Sequence, residues 1–99
     1  MAFKLIVTTT AELDLQDAID WYTSIQKDLG QKFYKSVLEQ FASIQKHPHY
    51  YSFYFKEYRR TLVLHFPYII IFKINNQEVI VYSIIYAGRN PELIRKKIA

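Results

Sequence analysis

The chain has 99 residues, about half of them apolar and 17% aromatic, and no cysteine. That fills one hydrophobic core and is too little for two, so a single domain over residues 1–99 is expected, and disulfides, thiolate metal sites and cysteine nucleophiles are excluded. The formal charge of +4 is uneven: residues 1–50 hold five Lys/Arg against six Asp/Glu, and residues 51–99 hold eight against three.

The second half is therefore the positive pole, which suits nucleic acid or an acidic protein partner. No stretch approaches the ~20 apolar residues of a membrane span, and the first apolar run is too short for a signal-peptide core. A cytoplasmic protein with no membrane partner is the expectation.

Phe3 to Val7 reads as a short strand. Thr9 and Glu12 have the spacing of a capping box, with Asp14 and Asp17 following where a helix N-terminus favours acids. Leu15, Ala18, Ile19, Tyr22, Ile25 and Leu29 recur at steps of three and four, the stripe of an amphipathic helix, with Gly30 as its expected stop. Phe33, Val37, Phe41 and Ile44 form a second stripe, which His47-Pro48 ends because proline disfavours helical angles in the residue before it. One glycine between two striped helices implies a tight antiparallel hairpin. Residues 50–58 are densely aromatic and read either as a short strand or as an ordered loop.

Residues 62–64, 69–72 and 79–86 are runs rich in β-branched and aromatic side chains. Phe66-Pro67 separates the first two, since proline cannot donate to a ladder. Asn75-Asn76-Gln77 separates the last two, with asparagines that tolerate left-handed angles. An antiparallel meander results. Pro91-Glu92 opens a short C-terminal helix ending at Arg95, Lys96 and Lys97. The order predicts an α+β fold: an antiparallel-rich sheet, an N-terminal strand, and a two-helix hairpin packed on one face.

Strand parity selects the candidate site. Leu62, Leu64 and Phe66 are assigned to the helix-covered face, and Arg59, Thr61, Val63 and His65 to the open, cationic one. Lys73 points outward with Ile69 and Ile71. Tyr82 and Tyr86 are placed on the open face, with Val81, Ser83 and Ile85 as the alternative set. Arg59, His65, Tyr86 and Arg89 would then line one groove, where guanidinium groups clamp phosphate and an imidazole or phenol moves a proton. The competing reading makes Arg59 and Arg60 edge charges that discourage sheet pairing. His47 and His49 lack a nearby carboxylate and read as loop residues rather than metal ligands, and nothing calls for a cofactor.

Ala11-Glu-Leu-Asp-Leu15, Ala18-Ile-x-Trp-Tyr22, Leu29-Gly30-x-x-Phe33, His47-Pro48, Tyr58-Arg59, Phe66-Pro67-Tyr68 and Gly88-Arg89-Asn90-Pro91 together resemble the RelE/ParE toxin superfamily of bacterial toxin–antitoxin modules. The resemblance implies a cognate antitoxin that wraps the toxin, in a hetero-oligomer or beside a homodimer. RelE-like members cleave mRNA on the ribosome, whereas ParE-like members poison DNA gyrase. Arg59 and Arg89 match basic positions of the family. Ile69 stands where RelE-like members commonly have arginine, Leu93-Ile94 where they have tyrosine, and Tyr86 where many ParE-like members have histidine. The Phe-Pro-Tyr form resembles the ParE branch. The expectation is thus a ParE-like toxin that binds its target or its antitoxin through Arg59, Arg60, Tyr82, Tyr86, Arg89, Arg95, Lys96 and Lys97. A RelE-like endonuclease using Arg59, His65, Tyr86 and Arg89, or a degenerate toxin, is the alternative.

Overall fold

The structure, a computed structural model, describes residues 2–88. Strand β1 (Lys4–Val7) leads into helices α1 (Thr9–Ile25) and α2 (Leu29–Lys46). A 3₁₀ turn at Pro48–Tyr50 follows, then strands β2 (Phe53–Phe55), β3 (Tyr58–Leu62), β4 (Tyr68–Asn75) and β5 (Glu78–Tyr86). The segment 50–58 is thus both a turn and a strand. The helix expected from Pro91 lies outside the described residues.

Strand order is β1-β5-β4-β3-β2. The meander β3-β4-β5 is antiparallel as expected, and β1 joins the far side of β5 in parallel. Asn76 sits at φ 56°, a left-handed angle that asparagine adopts readily, and turns β4 into β5.

Two local expectations move by a residue or more. The α1 cap is Thr8 rather than Thr9, its hydroxyl accepting the Ala11 N–H at 3.1 Å, so no capping box forms with Glu12. Thr8 is placed there by the sheet, through its N–H bond to the Val81 carbonyl at 3.0 Å. Gly30 does not stop α1, which ends at Ile25; it lies inside α2 and is buried. A Cβ there would land on the Thr23 hydroxyl and come within 2.8 Å of the Ile19 carbonyl oxygen. The glycine lets two helices approach, and its conformational freedom is not used.

The main core lies between the helix pair and the sheet. Ala18, Phe33, Val37, Phe41 and Ile44 meet Val63, Ile70, Phe72, Val79, Val81 and Ile84 there. Tyr22, Phe33, Phe66 and Tyr68 close one end, with ring centroids 5.0–5.9 Å apart. Such tilted and edge-on contacts add about 0.5–1.5 kcal/mol each beyond the area buried. A second cluster, Ile69, Ile71 and Ile85, sits on the opposite sheet face under Tyr54, Phe55, Tyr58 and Tyr82.

The expected parity of β3 is reversed. Thr61 pairs with Ile70, and Arg59 with Phe72, both on the helix side. Thr61 and Val63 are therefore buried, while Leu62 and Leu64 are 61% and 55% exposed. Alternation fixes which residues share a face, but only pairing with β4 decides which face meets the helices. Phe66 still reaches the core, because it follows a turn and no longer obeys the pleat of β3.

On β5 neither expected set is right as a whole. The register jumps between Ile71 and Phe72, which pair with Ser83 and Val81, so Tyr82 is an extra residue on β5. This bulge puts Tyr82 with the open-face cluster and sends Tyr86 to the helix side, opposite Tyr68. Past Val7, β5 runs on without β1, and Asp14 serves its edge. One carboxylate oxygen accepts the Ile84 N–H at 3.1 Å and the buried Ser83 hydroxyl at 2.8 Å.

Gly30→Ala is expected to cost about 1–3 kcal/mol, because the added methyl meets a backbone carbonyl that can move only if the helices part. Urea unfolding measures this as a lower midpoint. An unchanged midpoint would show that the contact is slack.

Candidate functional site

Adjacent residues of a strand point to opposite faces, so Arg59 and Arg60 do not act as a pair. Arg59 lies half-buried at the outer margin of the helix side. Its Nη1 donates to the Tyr51 carbonyl at 2.7 Å, and its guanidinium rests 4.0 Å from the centre of the Phe53 ring. Arg60 lies on the open face, 5.5 Å from the Tyr54 ring. Every lysine or arginine described between residues 51 and 88 has an aromatic ring beneath it. Lys56 sits 5.3 Å from Phe55, and Lys73 5.9 Å from both Tyr58 and Tyr82.

This corrects the picture of an open, simply cationic face. The described part of that face is an apolar and aromatic cluster with cations at its rim. A cation over a ring keeps its charge and its exposed side while its apolar stem is packed, an arrangement worth about 0.5–1 kcal/mol at a surface. Lys73 also donates to Glu57 at 3.3 Å, and this bond raises its pKa above the ordinary lysine value.

The structure does not bring Arg59, His65 and Tyr86 together. Arg59 is opposite Phe72 on one side of β4, and Tyr86 is opposite Tyr68 on the other side. Four residues of strand separate those levels, roughly 13 Å. His65 is exposed in the loop between β3 and β4 with a left-handed φ of 71°. Arg89, Arg95, Lys96 and Lys97 lie outside the described residues. Of the tyrosines, Tyr82 stands edge-on to Tyr58 at 5.3 Å on the open face, and Tyr86 edge-on to Tyr68 at 6.0 Å on the helix side.

The Tyr22, Tyr68 and Tyr86 phenols form one neighbourhood. Burial raises the pKa of Tyr22 above the phenol value, and the Tyr68 and Tyr86 phenols add to the shift. His47 stacks on Tyr50 and His49 meets Phe3 edge-on, as loop histidines. Among the described residues no group of three or more His, Asp or Glu is arranged to hold a metal ion. No described helix is long and apolar enough to cross a membrane.

The helix pair carries a feature that composition did not single out. Its outer side holds a groove of about 590 Å³ lined by Leu15, Ile19, Gly30 and Tyr34, with Glu12 and Lys27 at its rim. The signal was present as the width of the α1 stripe: Leu15 and Ile19 extend it beyond the part that the sheet covers.

Arg59→Ala is expected to lower stability by about 1–2 kcal/mol, from one buried-margin hydrogen bond and one cation–ring contact. Arg60→Ala, whose guanidinium makes no hydrogen bond among the described residues, should change it by no more than about 0.5 kcal/mol. Urea midpoints of the two variants check the difference; equal losses would contradict it. The raised Tyr22 pKa also fixes a sign. A group whose pKa is higher when folded supports stability below its unfolded value, about 10 for a phenol, and that support is lost as pH rises through the folded value. Stability should therefore fall above about pH 10, and Tyr22→Phe should flatten that fall in thermal melts.

Comparisons with known proteins complete the site. No curated protein matches the sequence. A solved structure described as the chromosomal ParDE TA system from P. aeruginosa superposes with a TM-score of 0.78 at 18% identity, covering 88% of this chain and 98% of that one. At that identity the likeness shows the fold. The family model described as the ParE toxin of the type II toxin–antitoxin system parDE matches residues 5–91, which take in both helices and, but for Lys4, all five strands. The chain belongs to the ParE toxin family of type II toxin–antitoxin systems.

Proposed function

We propose that this protein acts in the cytoplasm as a toxin by binding, with DNA gyrase as its target, and that a cognate antitoxin neutralises it. The family match over residues 5–91 carries this reading. The placement of the candidate residues supports it. Arg59 is engaged by Tyr51 and Phe53, and His65 and Tyr86 stand apart from it, so the described residues do not converge on one phosphate. General acid–base catalysis needs its groups within hydrogen-bond reach of one proton.

Arg60, Tyr82 and the basic residues Arg89, Arg95, Lys96 and Lys97 are proposed as target contacts, and Tyr86 and Arg59 as flanking ones. The antitoxin is proposed to lie across the helical hairpin and the sheet. The groove of Leu15, Ile19 and Tyr34 suits the apolar face of an amphipathic segment, read at helical spacing. The same protein is proposed to be held in a toxin–antitoxin hetero-oligomer rather than to act through a cofactor.

Expression of the chain alone should arrest growth and induce the DNA-damage response, and co-expression of the neighbouring antitoxin gene should restore growth. The purified protein should inhibit gyrase supercoiling while transcripts stay intact. New transcript ends within translated codons would replace gyrase by ribosome-bound mRNA as the target. Equal growth with and without the antitoxin would overturn the toxin reading altogether.

A further inference from the structure

Strand β5 changes neighbours along its outer edge. β1 pairs with it from Glu78 to Val81, and the chain then turns away into α1. The start of α1 takes over the ladder. Thr8 N–H donates to the Val81 carbonyl at 3.0 Å, and the Thr8 hydroxyl to the Tyr82 carbonyl at 3.3 Å. Asp14, in the second turn of α1, accepts the next two donors on one oxygen: the Ser83 hydroxyl at 2.8 Å and the Ile84 N–H at 3.1 Å. Val81, Tyr82, Ser83 and Ile84 are thus each bonded from the helix start, and the bulged residue Tyr82 is among them.

A bulge interrupts a ladder and re-aims the side chains beyond it, so the bonds on its free edge decide where those side chains point. Beyond Ile84 the helix and the strand draw apart. A cavity of about 140 Å³ opens between them, lined by Asp14, Asp17, Ala18, Ile84 and Tyr86. Asp14 stands at its border. The upper end of β5 is held by β4 along one edge as far as Tyr86, and Asp14 bonds it from the other.

We propose that Asp14 is a positioning residue for target binding, which sets the directions of Tyr82 and Tyr86 through its hold on Ser83 and Ile84. The inference rests on the reading that these two tyrosines meet the target. They bracket the held pair and leave the strand on opposite faces. Their rings meet Tyr58 and Tyr68 edge-on, so the backbone of β5 decides what each presents. Binding groups have to be held within about 0.5 Å of their working geometry by the bonds behind them. Without the Asp14 acceptor, the upper end of β5 keeps β4 and loses this tie to α1. Fewer molecules then hold both rings in the binding arrangement, and apparent affinity falls in proportion.

The test compares the full chain with four variants. Asp14→Leu removes the acceptor at similar volume, and Asp14→Asn keeps an acceptor oxygen. Ser83→Ala removes one donor, and Val37→Ala truncates the core under α2 as a control for lost stability alone. In Asp14→Leu, amide hydrogen exchange at Ile84 should quicken and the ring NMR signals of Tyr82 and Tyr86 should move. Half-inhibition of gyrase supercoiling should need about fivefold more protein. Asp14→Asn should restore most of both. Val37→Ala, compared at equal folded fraction, should leave the tyrosine signals and the inhibition as they are. Ser83→Ala should move the Tyr86 signals the same way by less, which keeps the test decisive where Asp14→Leu does not fold. Unmoved Tyr86 signals in Ser83→Ala, unchanged inhibition by folded Asp14→Leu, or equal losses in Asp14→Asn and Asp14→Leu would each overturn the proposal. Absence of gyrase inhibition by the parent chain would overturn the gyrase reading instead; the exchange at Ile84 and the tyrosine signals would still decide what Asp14 holds.

Discussion

Strand β4 has to be satisfied on both of its faces, and most of the architecture follows from that. Ile70 and Phe72 face the helices, Ile69 and Ile71 face away, and all four are buried. An antiparallel sheet with one solvated face would need polar residues at alternate positions. β4 has none until Lys73, so the side away from the helices acquires its own cover. Tyr54, Phe55, Tyr58 and Tyr82 supply part of it. Their rings bury the isoleucines beneath and leave the rim to cations, which explains why Lys56, Arg60 and Lys73 sit over aromatic rings.

The same demand accounts for the bulge. In a regular ladder Tyr82 and Tyr86 would share a face with Ile84, and one of the two clusters would lose a large ring. One extra residue at Tyr82 lets β5 give Val79, Val81 and Ile84 to the helix core and Tyr82 and Ile85 to the other side. It also leaves β5 with an upper stretch that β1 is too short to pair. Asp14 fills that gap from α1, accepting the Ile84 N–H and the Ser83 hydroxyl with one oxygen. A buried donor left without an acceptor would cost about 1–3 kcal/mol, so Asp14 ties the first helix to the last strand rather than merely tuning a helix terminus.

The described residues present their cations on separate patches of the surface. The charges that composition assigned to one positive pole divide among different faces once the chain is pleated. Arg59 fastens the β2–β3 margin to Tyr51, and Arg60 stands on the other face. A stacked guanidinium remains charged and still presents its free edge.

What the sequence determined by itself is what local periodicity and punctuation encode. The two helical stripes, the end of α2 before His47-Pro48, the three-strand meander, and the turn at Asn76 all follow from spacings within a few residues. The family pattern, too, is legible in short motifs spread along the chain. What only the tertiary structure decided is which way each pattern faces. Alternation in β3 paired Leu62 with Leu64 correctly, yet only the register with β4 turned Thr61 and Val63 inward. Gly30 looked like a stop because glycine ends helices, but its role is set by how near α1 lies. The grouping of Arg59, His65 and Tyr86 rested on parity alone, whereas the register of β3 and the bulge in β5 turn Arg59 and Tyr86 both to the helix side but set them against Phe72 and Tyr68, at different levels of β4. Periodicity is a property of neighbours along the chain, whereas facing is set by contacts between segments distant in sequence, and a single extra residue inverts it.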